Sequence, residues 1–71
     1  MDFYTRKTKA FREIDGYIQK GKYDREAIML TIIRNYGVTE KFVNDYVDKL
    51  KKAGVVSEDK FGILRIIKQN D

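Results

Sequence analysis

The sequence predicts an α+β domain, mostly α: a three-helix core followed by a two-stranded β-hairpin. Three observations carry that prediction. Apolar residues recur at helical spacing in three separate stretches. Each stretch stops at a glycine, Gly21, Gly37 or Gly54. After Gly54 the helical period is lost, and β-branched and other apolar residues flank the polar run Ser57-Glu58-Asp59-Lys60.

The first helix is expected over residues 5–20. Tyr4, Phe11, Ile14 and Ile18 fall on one stripe, with Ala10 and Tyr17 beside it, while Arg6, Lys7, Lys9, Arg12 and Glu13 cover the rest. Gly16 inside this helix costs about 1 kcal/mol relative to Ala. It marks either a kink or a point of close backbone approach. Lys20 suits the negative end of the helix dipole, and Gly21 ends the helix.

The second helix starts at Asp24, a good N-cap, with Glu26 in its first turn. Its buried face is Ile28, Met29, Ile32, Ile33 and Tyr36. The β-branched pair Ile32-Ile33 weakens helix propensity, so tertiary packing must hold this helix. Gly37 ends it where a positive φ is expected. The third helix covers residues 39–53, with Thr39 as its cap and Glu40 behind it. Phe42, Val43, Tyr46, Val47 and Leu50 form its core face.

The hairpin covers residues 55–68. Val55-Val56 and Gly62 to Ile67 read as its strands, joined by Ser57 to Phe61. Ile63, Leu64, Ile66 and Ile67 do not alternate cleanly, so the pattern leaves open which pair faces the core. Gln69-Asn70-Asp71 make a short polar end.

At 71 residues the chain is a single domain, residues 1–71. A core of this size rarely supplies more than about 3–5 kcal/mol. The sequence has neither Cys nor His, so disulfide and zinc staples are excluded. Oligomerisation is the remaining common support, and a homodimer is expected. Hydrophobic residues at 42%, charged residues at 37% and no Pro describe a globular chain. No apolar run approaches the roughly 20 residues of a membrane span. Met1 to Lys7 lack the apolar centre of a signal peptide. An intracellular, cytoplasmic protein is expected.

Catalysis is not expected. Ser57 is the single serine and has no base near it in sequence, and the glycines form no phosphate loop. The carboxylate pair Glu58-Asp59 sits on an expected exposed turn, where ordinary pKa values are anticipated. No metal and no small-molecule cofactor is implied. The net charge of +4 favours a polyanionic partner, nucleic acid first.

The turn around Gly37 sharpens that expectation. Ile33 and Ile32 lie four and five residues before it and Tyr36 just before it. Val38 follows, and Val43 and Tyr46 lie six and nine residues after. A glycine relieves the backbone where one helix swings across another, and a single apolar residue after it plugs the gap.

The residues Asp24-Arg25-Glu26-Ala27-Ile28, the turn Tyr36-Gly37-Val38-Thr39, and the run Val43 to Val56 through Tyr46, Val47, Leu50 and Gly54 resemble the winged helix-turn-helix superfamily of DNA-binding domains. The resemblance covers about two-thirds of the chain. It implies a sequence-specific double-stranded DNA-binding protein, a small transcription regulator that is often dimeric. Helix 39–53 would enter the major groove, and hairpin 55–68 would serve as the wing. Carried onto this sequence, the reading face is Lys41, Asn44, Asp45, Asp48 and Lys52. Thr39 and Lys41 lie at the end nearest the bases. Asn44 would pair with adenine and Lys41 with guanine. Lys60 would lie at the wing tip, with Arg65 and Lys68 on the second strand. The Tyr23 hydroxyl would reach a phosphate just before helix two.

Two other readings use the same residues. Glu40, Asp45 and Asp48 offset Lys41, Lys49, Lys51 and Lys52 on helix three, while most excess positive charge lies at Arg6, Lys7, Lys9, Arg12, Lys20 and Lys22. That distribution suits a winged-helix protein-interaction module or a subunit of a larger assembly. It also admits RNA binding through the basic first helix. Phe11, Phe42 and Tyr46 sit at core spacing, which favours packing over base stacking.

Overall fold

The computed structural model describes residues 3–67. Lys68, the polar end at 69–71 and the first two residues lie outside the described residues. The chain forms three helices, α1 (Phe3–Lys20), α2 (Arg25–Tyr36) and α3 (Glu40–Lys52), and two strands, β1 (Val56–Glu58) and β2 (Leu64–Ile66). The strands are antiparallel, with Val56 opposite Ile66, Ser57 opposite Arg65 and Glu58 opposite Leu64. β2 is also engaged on its other edge. The Leu64 N–H donates to the Tyr23 carbonyl at 3.2 Å, and the Arg25 N–H donates to the Gly62 carbonyl at 2.9 Å. The linker between α1 and α2 therefore extends the hairpin into a small three-ply sheet edge.

Local chemistry sets the helix ends. Asp24 and Thr39 both have extended backbones, and their side-chain oxygens accept from Ala27 N–H at 2.7 Å and Phe42 N–H at 3.1 Å. Both are N-caps, as expected. Gly37 adopts φ +65°, and its N–H returns to the Ile33 carbonyl at 2.8 Å. At the end of α3, Ala53 stays right-handed and Gly54 takes φ +76°. The Gly54 and Val55 N–H groups then satisfy the carbonyls of Lys51 and Leu50. This paired closure turns the chain out of α3 and into β1.

The core is wholly aliphatic. α1 supplies Ala10, Ile14 and Ile18, α2 supplies Ile28 and Ile32, α3 supplies Val43 and Val47, and the hairpin supplies Val56 and Leu64. Val38 is buried between α2 and α3, the plug that the turn requires. Met29, Ile33, Tyr36, Phe42, Tyr46 and Leu50 pack half-buried around this centre.

Three expectations change, and one question the pattern left open is answered. Tyr4 is 79% exposed, because α1 meets the core only from Ala10 onward. The apolar stripe of α1 is thus shorter at its start, and Ile14 and Ile18 are fully buried within one chain. α1 also begins two residues earlier than the pattern indicated. It runs through Gly16 without a break, and nothing lies within 4 Å of the position a Cβ would take. No close backbone approach explains that glycine. Of the four apolar residues Ile63, Leu64, Ile66 and Ile67, Leu64 alone faces the core fully, while Ile66 and Ile67 run past the core's edge and stay exposed. Among the described residues, no helix is long and apolar enough to cross a membrane.

Ile32→Ala should lower the unfolding free energy by about 2–5 kcal/mol, since it opens a cavity at the centre of the core. Tyr4→Ala should change it by less than about 0.5 kcal/mol. Urea unfolding of both variants checks the contrast, and equal losses would refute this assignment of the core.

Candidate nucleic-acid interface

α3 turns Lys41, Asp45, Asp48 and Lys52 to solvent, with Asn44 half-buried beside them. The start of α2 and the tip of the hairpin flank this face. Together they enclose a cleft of about 370 Å³ lined by Asp24, Arg25, Glu26, Met29, Asn44, Phe61 and Gly62.

The tip is folded by one carboxylate. Asp59 Oδ1 accepts from the N–H groups of Phe61 at 2.8 Å and Ile63 at 3.0 Å, and Oδ2 accepts from Arg65 Nη1 at 3.0 Å. The Gly62 N–H donates to the Asp59 carbonyl at 3.0 Å, which closes the turn. Desolvation alone would raise the Asp59 carboxyl. The Ile63 and Phe61 N–H groups and the Arg65 guanidinium outweigh it and hold the pKa below the ordinary value. The turn presents Lys60 and Phe61 outward. Phe61 is 72% exposed, with Lys60 Nζ 5.1 Å from its ring centre.

Arg25 ties α2, α3 and β1 together. Its Nη1 donates to Asn44 Oδ1 at 3.2 Å and lies 3.1 Å from Asp48 Oδ1, and its Nη2 donates to Glu58 Oε1 at 2.8 Å. Lys51 Nζ reaches the same Glu58 oxygen at 2.8 Å. The Arg25 and Glu58 side chains are only 21% and 19% exposed, so this contact is shielded better than a typical surface pair. The Lys51 hydrogen bond, assisted by Arg25 and opposed by burial, holds the Glu58 carboxyl below its ordinary range. Burial disfavours the charged Arg25, but its bonds to Glu58 and Asp48 prevail and raise its pKa. Glu58 and Asp59 are therefore not the ordinary, solvated carboxylates the turn suggested.

The expected reading residues are only partly available. The Thr39 hydroxyl caps α3. Lys41 donates to Asp45 at 2.6 Å one turn on, and this bond raises the lysine's pKa. The Asn44 carbonyl oxygen is taken by Arg25, which leaves its amide N–H groups for other partners. Asp48 is paired with Arg25, and Arg65 is paired with Asp59. Lys52 and Lys60 are exposed. Tyr23 does not join this face. Its ring lies edge-on to Tyr17 at 5.0 Å, beneath Lys20 and Lys22, at the end of α1.

The remaining aromatic residues form a seam between α1 and α3. Phe11 stacks on Phe42 at 4.9 Å and lies 4.3 Å from Tyr46, whose hydroxyl donates to Asp15 at 2.7 Å. Burial and the Asp15 bond together raise the Tyr46 pKa.

Sequence reasoning left Arg25 and Phe61 without a role. A signal existed for each. A cation in the first turn of a helix opposes the helix dipole, so Arg25 needs a partner elsewhere. Phe61 is a large apolar residue within a polar turn.

Replacing Arg25 by Met should cost about 1–3 kcal/mol, since Glu58 and Asp48 lose a shielded partner. The pH dependence carries a matching signature. Glu58 and Asp59 have lowered folded-state pKa values, so their contribution is complete above the ordinary carboxyl values of 4.5 and 3.8 and is lost as pH falls below them. Urea midpoints at neutral pH and near pH 3 should show a smaller acid loss for Arg25→Met than for the wild type. Equal losses would remove Arg25 from the account. Comparison with known protein families, curated proteins and solved structures finds no match for this chain.

Proposed function

We propose that this domain binds double-stranded DNA sequence-specifically, as a small intracellular transcription regulator of winged helix-turn-helix type. In this reading α3 enters the major groove, and the hairpin tip lies on the adjacent backbone or in the minor groove. One observation carries it. The Arg25 fork and the Gly62 carbonyl hold a rigid hairpin tip at the border of the open face of α3, so a helix and a ribbon stand side by side. The major groove, about 12 Å wide, admits such a helix. Lys41, Lys49, Lys52 and Lys60 are exposed around the face and supply cations for phosphates. The Asn44 amide N–H groups remain as donors to base acceptors. Phe61 is an apolar side chain suited to the sugar walls or to a base step.

A second reading draws on a specific feature. Asp45 and Asp48 stand on the outward face of α3, and the cleft beside them holds Asp24 and Glu26, so this face is not basic. A face of mixed charge bordered by an exposed Phe61 suits a protein partner. Homodimerisation belongs to the proposal on the ground of the small core. Ile14 and Ile18 cannot serve it, being fully buried in one chain.

Selection from a random duplex pool across a salt series, followed by sequencing of the bound fraction, separates these readings. About four phosphate contacts predict a roughly hundredfold weakening between 50 and 200 mM salt. Lys41→Ala should relax preference at one base position by about 1–3 kcal/mol. Lys60→Ala should weaken all sequences alike. No binding at low salt would turn the assignment to a protein partner. Sedimentation as a pure monomer at tens of micromolar would eliminate the dimer.

A further inference from the structure

The excess positive charge lies away from the cleft. Residues 3–22 carry six cations and two anions, and both anions are hydrogen-bonded to the neighbouring helices. Glu13 accepts from Asn35 Nδ2 and the Tyr36 hydroxyl on α2, and Asp15 accepts from Tyr46 on α3. The outward face of α1 is left to Lys9, Arg12, Gly16 and Lys20, which share one stripe at helical spacing. Lys9, Arg12 and Lys20 are exposed, and none takes part in the ion pairs Arg25–Asp48, Arg25–Glu58, Lys41–Asp45, Lys51–Glu58 and Arg65–Asp59.

Gly16 stands in the middle of this stripe. It weakens the helix, and no neighbour within 4 Å calls for it. Its missing side chain leaves a shallow hollow of about 250 Å³ walled by Glu13, Tyr17 and Lys20. Lys20 Nζ is set over the rings of Tyr17 and Tyr23, at 5.7 and 5.9 Å, which places its charge at the rim. Of its walls Lys20 is cationic and Glu13, held by Asn35 and Tyr36, is anionic, so the attraction for a phosphate chain comes from the cations of the stripe, Lys9, Arg12 and Lys20. From Lys9 to Lys20 the stripe rises about 16 Å, the span of about five phosphates on one strand of a duplex.

We propose that the outward face of α1, centred on Gly16, is a second, sequence-independent docking surface for the phosphate backbone of double-stranded DNA. It shares only its ligand with the proposed function. Its residues lie on α1, apart from the reading residues of α3, so one domain engaging DNA at both surfaces would bring two duplexes together.

The test is amide NMR of the full chain titrated with a short random-sequence duplex at low salt. The proposal expects the Gly16 signal, with Arg12 and Lys20, to shift as a cluster of its own. Shifts on α1 alone would support it and remove the reading helix, and shifts on α3 and the hairpin alone would overturn it while leaving that reading intact. No shifts anywhere would overturn both. Shifts at Gly16 with polyglutamate but not with duplex would overturn it in favour of an acidic protein partner. Gly16→Leu fills the hollow and favours the helix, so it should keep or raise the melting temperature while abolishing the α1 shifts. Persistence of those shifts in Gly16→Leu would overturn the role of the hollow. The triple variant K9A/R12A/K20A should make the salt slope shallower by about three. It should also stop the protein carrying a free labelled duplex onto beads that hold another. Unimpaired bridging by that variant would overturn the proposal.

Discussion

The guanidinium of Arg25 is the point on which the relation between helix and hairpin depends. A hairpin of two three-residue strands has little stability of its own. Its apolar contribution to the core is Val56 and Leu64, two side chains that hold the sheet against the helices without setting its angle. Direction comes from polar chemistry. Arg25 reaches α3 through Asn44 and Asp48 and β1 through Glu58, while its own backbone N–H holds Gly62. A planar fork of donors fixes geometry in a way a lysine at this position would not. The same residue limits the chemistry of the face it builds, because it occupies the oxygen of Asn44 and neutralises Asp48.

Around that clamp, the fold combines a dry centre with a conditional border. The centre holds only aliphatic side chains, and no polar or charged residue is buried as a whole among the described residues. The border is aromatic and charged: Phe11 on Phe42, Tyr46 to Asp15, Tyr36 to Glu13. These contacts lock α1 to its neighbours, and burial opposes ionisation of the Tyr36 and Tyr46 hydroxyls. They also engage both acidic residues of α1, Glu13 and Asp15, which leaves Lys9, Arg12 and Lys20 as the exposed charged residues of the helix. Charge separation between α1 and the cleft is thus a by-product of how α1 is fastened.

The architecture was legible in the sequence where its determinants are local. Asp24, Thr39 and Gly37 act within four residues of themselves, and their roles follow from side-chain reach and permitted φ. The buried faces of α2 and α3 follow from periodicity. Legibility failed where the determinant lies far along the chain. The bond from Arg25 to Glu58 spans 33 residues, and no local pattern pairs them. Tyr4 fits the stripe, but only the packed bundle decides where α1 outruns its neighbours. The candidate site was half legible. The outward residues of α3 were found by spacing, but their mutual pairing was not, and Tyr23 turned toward Tyr17 because the linker on which it sits is drawn into the sheet.

That linker has a consequence for behaviour in crowded solution. A hairpin normally leaves two open edges, each a template for pairing with another chain. Here β2 is flanked by β1 on one side and by Tyr23 and Asp24 on the other. The open edge falls on β1, which is three residues long and ends at the charged Glu58. A domain with exposed Ile66 and Ile67 nearby thus offers a neighbouring molecule almost no backbone to extend. Resistance to strand-mediated aggregation is built into the connection between the first two helices.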